Sequence, residues 1–386
     1  MKRDGVEIMK LASRESCSGC SACKSVCAVG AIVLKPDEEG FLHPSVDSSK
    51  CVRCGRCQVV CPSLHPGPAR RPKCVVATRA KDRAVCGMSS SGAAFVLLAE
   101  RMLADGGIVF GAAWDADWSV VHRRVETSAD LQALKGTKYV QSRIGDAYGD
   151  AGRALDEGRS VLFSGTPCQI AGLLNVLGGP RENLLTAELI CHAVPSPAAW
   201  QSYLRTRTAG HGGLVAATVR DKSAGWMKKR IRLVFADGTE YVRPYGEDPF
   251  ILSFGGQLVN RPSCHNCRMR SLRSGADVTI GDFWGVERFH PEFADDLGVS
   301  AVLLNTDKGE TYFSRLTDVC ETVPSSYENV LAFNHSLEEC PPPHGRRYEC
   351  LSRLRTEEFD STVLAILRGG KPGGFWRKVF RWKGVK

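Results

Sequence analysis

Two cysteine runs constrain this chain more than any other feature. "CSGCSACKSVC" (Cys17 to Cys27) and "CVRCGRCQVVC" (Cys51 to Cys61) share the form C-x2-C-x2-C-x3-C. Three thiolates two residues apart can curl around one cubane, and a fourth, three residues on, is carried to a neighbouring cubane. The spacing therefore predicts one [4Fe-4S] cluster on Cys17, Cys20, Cys23 and Cys61. A second is predicted on Cys51, Cys54, Cys57 and Cys27. Structural zinc is the competing reading, but zinc takes four ligands per ion and favours separated C-x2-C pairs.

Small residues between the ligands (Ser18, Gly19, Ser21, Ala22 and Gly55) let the backbone fold close and offer N–H donors to the sulfides. With "AVGAIVL" between the runs and Pro62 after the second, the segment resembles a bacterial two-cluster ferredoxin module. Ala28 stands where the first half would usually carry proline, which touches a turn and no ligand. Seventeen cysteines in such a chain are expected to be reduced thiols, which favours metal ligation over disulfides, and the odd total also argues against complete pairing. The N-terminus lacks the apolar core of a secretion signal, and the longest apolar run is broken by Glu100 and Arg101. A cytoplasmic protein is expected.

At 386 residues the chain is long enough for two or three domains. Residues 1–66 read as the ferredoxin domain, and "PSLHPGPARRP" as a linker out of it. Residues 73–355 read as a mixed α/β domain, in two parts of about 73–155 and 156–355, and 356–386 as a basic aromatic tail. The overall class is thus α+β followed by α/β. "CVVATRA" and "SVLFSG" look like strands, "SSSGAAFVLLAERMLADGG" like a serine-capped helix, and "SADLQALKG" like a short helix. "SVLFSG", "TPCQIAGLLNVLGG" and "LLTAELIC" give strand, helix, strand, hence a parallel βαβ unit. Asp237-Gly238 joins two strands as a hairpin. No G-x-G-x-x-G opens a strand–helix unit, which disfavours a Rossmann dinucleotide site.

A second cysteine constellation follows. Cys168 and Cys191 each lie just beyond a strand, at the carboxyl edge of the sheet if the strands are parallel. "CHNC" adds Cys264 and Cys267 at a chelating spacing. Four thiols from three places suit a third [4Fe-4S] cluster. Three other readings remain open on spacing alone. They are zinc with a nearby histidine, a reactive Cys168 activated at a helix N-terminus, and plain buried thiols.

"KGTKYVQSRIGDAY", "VLFSGTPCQIAGL", "ICHAVPSP", "CHNCRMR" and "DVTIGDFWG" follow the ferredoxin module in this order. Together they resemble the family of coenzyme F420 hydrogenase/dehydrogenase beta subunits. The resemblance implies a non-Rossmann flavin-binding domain with FAD. It also implies a cluster on Cys168, Cys191, Cys264 and Cys267 close to the flavin. The remaining cysteines (Cys74, Cys86, Cys320, Cys340 and Cys350) read as ordinary thiols.

For the flavin, helix-start turns are the candidates. Ser89, Ser90, Ser91 and Gly92 could seat a pyrophosphate on hydroxyls and free N–H groups, or only cap a helix. Lys138 could stabilise negative charge on a reduced flavin and Tyr139 could stack on a ring. A solvated lysine beside a core tyrosine is the bland reading of that pair. Gly165, Thr166 and Gln169 flank Cys168, so flavin and cluster could share that loop. Asp282, after a strand, could bond a ribose hydroxyl or a substrate, or cap a turn.

The expected function is oxidoreduction between [4Fe-4S] clusters and FAD, with hydride exchange to an organic redox substrate of deazaflavin or other type. A redox partner protein or a ferredoxin is the expected electron partner. The alternative is an electron-relay subunit with no small-molecule substrate of its own. "KPGGFWRKVFRWKGVK" (Lys371 to Lys386) carries six basic residues and no acid. It suits an anionic membrane at the inner face and an acidic partner equally, and a frayed solvated end is the bland reading. Nucleic-acid binding is not expected, because no recognition motif accompanies the basic tail.

Overall fold

The computed structural model describes residues 11–369. In its first part β1 (Ile32–Pro36) and β2 (Leu42–Val46) form an antiparallel pair. Each cysteine run closes in a single helical turn, Ala22–Ser25 or Arg56–Val59. Ser21 (φ 70°) and Gly55 (φ 75°) enter these turns in the left-handed region, which is easy for glycine and strained for serine. The two halves thus use the same local geometry, as the repeated spacing requires.

The body is built on strands β3 (Cys74–Ala80), β4 (Ile108–Trp114), β5 (Val120–Val125), β6 (Val161–Gly165) and β7 (Leu184–Leu189). A separate three-stranded antiparallel sheet contains β8 (Leu214–Asp221), β9 (Arg230–Phe235) and β10 (Glu240–Pro244). β11 (Val278–Asp282), β12 (Ser300–Leu304) and β13 (Cys320–Ser325) complete the main sheet, whose order is β13-β3-β12-β11-β7-β6-β4-β5. β4, β6, β7 and β11 are parallel, and β5, β12 and β13 pair antiparallel to their neighbours. The fold is mixed α/β with one large mixed sheet.

Burial explains the order. β6 and β12 are buried along their whole length, as strands covered on both faces must be. β5, at the edge, is buried only at its two ends and leaves Arg123 and Arg124 exposed. Helix Ala94–Ala104 packs Leu97, Leu98 and Met102 on one face of the sheet. Helices Ala147–Asp156 and Pro167–Val176 cover the other with Tyr148, Ile170 and Leu173. A further core joins the three-stranded sheet to helices Pro197–Thr208 and Pro249–Gly255.

Three local expectations change. Helix Ala94–Ala104 starts after Ala93 (φ 72°) and has no side-chain cap. The reason is Gly92, where a Cβ would meet Thr78 O at 2.2 Å and Ser300 N at 2.7 Å. The serine turn is wedged against β3 and β12 and directs its hydroxyls inward. "SADLQALKG" makes a 3₁₀ turn, Asp130–Leu134, rather than an α-helix. Helix Phe359–Arg368, in the stretch assigned to the tail, buries Phe359, Val363 and Ile366 in the further core. The basic stretch Lys371 to Lys386 lies outside the described residues. No helix among the described residues is long and apolar enough to cross a membrane.

Candidate redox centre

Cys17, Cys20, Cys23 and Cys61 line one cavity. Cys61 comes from the second run, so the crossing of ligands between halves is present in the fold. Burial pushes the Cys23 thiol up to about 12 and raises Cys20 further. Cys17 moves the other way. Burial opposes it, but a hydrogen bond with His43 and the charge of Arg261 together lower its pKa. Cys27, Cys51 and Cys57 are half-buried and Cys54 is exposed. The Cys57 thiol is raised first by burial and then by Cys51 and Cys54. Cys27 Sγ accepts the N–H of Ala31 at 3.2 Å. This second group faces solvent, whereas the first faces the body.

Cys168 stands in the first turn of helix Pro167–Val176, directly after β6, and Cys191 lies two residues past β7. β6 and β7 are parallel, so both thiols leave the sheet at its carboxyl edge. The 3₁₀ turn Pro262–Asn266 brings Cys264, with Cys267 just after it. All four line a single cavity. Burial raises every one of these thiols, Cys264 to about 12 and Cys267 to about 11, and they raise one another by charge.

Among the described residues, no group of three or more His, Cys, Asp or Glu side chains is arranged to hold a single metal ion. A cubane spreads its four thiolates wider than a lone ion does. Thiol-lined cavities flanked by buried cations fit such a group, because ligation requires thiolates that burial alone disfavours. Ser18 and Ser63 line both cavities. After burial, the next charge raising the Cys20 thiol is that of Cys168. The two cysteine groups are therefore neighbours.

Sequence reasoning missed Cys340 and Arg270 here. Cys340 Sγ accepts the N–H of Cys267 at 3.2 Å. Arg270 donates to the carbonyl oxygens of Cys191 and Ser336, while its Nε has no hydrogen-bond partner. Cys340 belongs to no local motif and is brought to Cys267 by the fold alone, whereas Arg270 closes "CHNCRMR", three residues past Cys267.

The flavin candidates have much of their hydrogen bonding satisfied internally. Ser89 donates to Val85 O at 2.7 Å and Ser91 to Val299 O at 2.8 Å. Thr137 reaches Ser90 at 2.8 Å, joining the serine turn to the "GTKY" loop. Lys138 donates to Ala133 O (3.1 Å) and Lys135 O (2.9 Å), and burial lowers its pKa to about 7. Tyr139 packs on Phe254, with ring centroids 5.1 Å apart. Gly165 ends β6, and Thr166 Oγ1 is 3.2 Å from Cys168 Sγ. Gln169 receives the N–H of Thr166 at 3.0 Å and donates to Ser142 Oγ at 2.9 Å, fastening the start of its helix.

Asp282 is paired with Arg220 at 2.5 and 2.9 Å and accepts from Trp226 Nε1 at 3.0 Å. Burial alone would raise its carboxyl, but the Arg220 charge holds it below the usual value. Beside this pair, Lys229 Nζ sits 3.6 Å over the Trp284 ring, and burial lowers its pKa to about 7. The buried His192, next to Cys191, is lowered to about 4 by burial and then by Arg270. No local pattern in the chain points to Arg220 or Lys229, and His192 stands in "ICHAVPSP" without a spacing that signals its role.

Residues 158–326 match the family described as coenzyme F420 hydrogenase/dehydrogenase, C terminus of the beta subunit. Residues 16–64 match the 4Fe-4S dicluster domain. The chain is 20% identical over 332 residues to the F(420)H(2) dehydrogenase F subunit of Methanosarcina mazei, covering 82% of this chain and 86% of that protein. It is also similar to a chain from a structure of the F420-reducing [NiFe] hydrogenase complex of Methanosarcina barkeri. That likeness has 18% identity and a TM-score of 0.48, over 70% of this chain and 90% of the other. Both parts of the family resemblance read from the motifs are present, and the chain is an iron–sulfur electron-transfer protein of oxidoreductase type.

Proposed function

We propose that this member of the family of coenzyme F420 hydrogenase/dehydrogenase beta subunits is an iron–sulfur flavoprotein exchanging hydride with an organic redox substrate. The twelve ligands would be Cys17, Cys20, Cys23 and Cys61; Cys27, Cys51, Cys54 and Cys57; and Cys168, Cys191, Cys264 and Cys267. When bound, [4Fe-4S] clusters supply one-electron chemistry, and FAD beside the last of them joins it to two-electron hydride chemistry. A deazaflavin or a related acceptor is the substrate class.

The observation that carries this reading is that two four-cysteine cavities share Ser18 and Ser63 as wall. The protein's own residues keep water out of that junction, with Cys20 and Ser21 buried on the ferredoxin side and Ile190 and Ser263 on the other. The exposed Cys54 side is the natural approach for a redox partner protein or ferredoxin. At the opposite end, Tyr139 and Asp282 lie with Arg220, Lys229 and His192, and this group would form the flavin seat together with the "GTKY" loop that carries Lys138. Lys138 and Asp282 would there set charge and orientation.

A second reading, an electron relay without its own substrate, draws support from the internal hydrogen bonds of Ser89, Ser91 and Gln169. Anaerobic purification with iron, sulfide, zinc and flavin analysis separates the two. About twelve irons with one FAD per chain support the flavoprotein. Clusters without flavin support the relay, and zinc without iron contradicts both.

A further inference from the structure

We propose that Arg261 is a positioning residue that couples the two inner cysteine groups, its buried guanidinium being the countercharge shared by the clusters they hold. This rests on reading Cys168, Cys191, Cys264 and Cys267 as ligands.

Arg261 is 0% exposed. Its Nε donates to Cys17 O at 2.7 Å, Nη1 to Gln141 Oε1 at 2.7 Å and Nη2 to Leu42 O at 2.9 Å. All three acceptors are neutral. Among the described residues no carboxylate pairs with it; Glu39, close by, is taken by Arg347. A buried cation without a countercharge costs several kcal/mol, so a fold that keeps one has an anion for it.

The surroundings identify that anion. Arg261 lies at the start of the turn carrying Cys264 and bonds the backbone of Cys17. Its own carbonyl oxygen accepts the N–H of Cys264 at 3.0 Å, so this one residue is hydrogen-bonded to the backbone of a member of each group. Gly19 makes the approach possible, since a Cβ there would stand 2.7 Å from Nη1. Two tetrathiolate cubanes are both anionic and repel; a cation between them lowers that repulsion and favours reduction of each. The outer group, with Cys54 exposed, is screened by water.

The test is an anaerobic potentiometric titration, followed by EPR, of the full chain. Arg261→Met should keep its iron yet shift two of the three clusters to lower potential by about 59 mV or more each, a tenfold change in the reduced-to-oxidised ratio. The third cluster should stay put. Arg261→Lys should retain most of the wild-type potentials. Because Arg261→Met removes three hydrogen bonds and can fail to fold, Gln141→Glu is the second variant. It sets a carboxylate against Nη1 and should lower the same two potentials. Unchanged potentials, or an equal shift of all three, in whichever of the two variants folds would overturn the proposal. A wild-type chain with about eight irons would instead remove the third cluster, leaving the effect on the Cys17 group measurable.

Discussion

Gly172 and Cys20 touch across the junction of the ferredoxin part and the α/β body: a Cβ on Gly172 would stand 3.3 Å from Cys20 Sγ. It would also meet the Tyr148 hydroxyl at 3.0 Å, and that hydroxyl is held by its bond to Gln169 O at 2.7 Å. Helix Pro167–Val176 thus offers bare backbone to a predicted ligand while carrying Cys168 in its first turn.

Gly172→Val should therefore overpack the junction and cost about 1–3 kcal/mol. Cys20 should be displaced with the loss of about four irons per chain. Iron analysis and thermal denaturation check both effects; full iron at an unchanged Tm would show that the contact is not tight.

Replacing Cys264 and Cys267 together by serine should remove about four irons and leave the two ferredoxin clusters in place. Flavin reduction by a one-electron donor should then fall by at least two orders of magnitude, while Cys74→Ser changes nothing. EPR of the reduced protein and stopped-flow flavin bleaching report the two quantities. Normal bleaching in the double variant would contradict the ligand assignment.

Glu188 gives a pH prediction. It is fully buried, accepts from Ser274 and, at 2.8 Å, from Thr279, and burial raises its pKa to about 7 from an ordinary 4.5. Below the ordinary value both folded and unfolded chains carry the proton. As pH rises from about 4.5 to 7 the unfolded chain loses it first, so stability falls by roughly 3 kcal/mol and then levels off. Glu188→Gln should abolish that slope. Tm measured against pH for both proteins decides it, and parallel curves would place the titration elsewhere.

Asp282→Asn leaves Arg220 buried against a weakened partner and should destabilise by about 3–5 kcal/mol. Calorimetry reads the loss. An unchanged Tm together with lost turnover would assign Asp282 to substrate or cofactor rather than to holding Arg220.

Much of this was legible in the chain because local spacing carried it. The repeated cysteine runs dictated which thiols meet in the first cavity, including the swap that brings Cys61 to Cys17, Cys20 and Cys23. Strand, helix, strand around Cys168 implied that it and Cys191 share a sheet edge, and the parallel pairing of β6 with β7 puts them there. The residues that line up charge at the junction were not legible. Arg261 meets Cys17 across 244 positions and Cys340 meets Cys267 across 73. Such pairs depend on how whole elements dock. The serine turn misled for a related reason: hydroxyls before an apolar helix look like a cap, but the packing of Gly92 against β3 directs them inward.

Three clusters on these thiols next to a flavin would leave a composition that can be counted. Anaerobic purification followed by assay of iron, acid-labile sulfide, zinc and FAD does the counting. About twelve irons, about twelve sulfides and one FAD per chain are expected. A colourless protein carrying zinc and no flavin would refute the assignment.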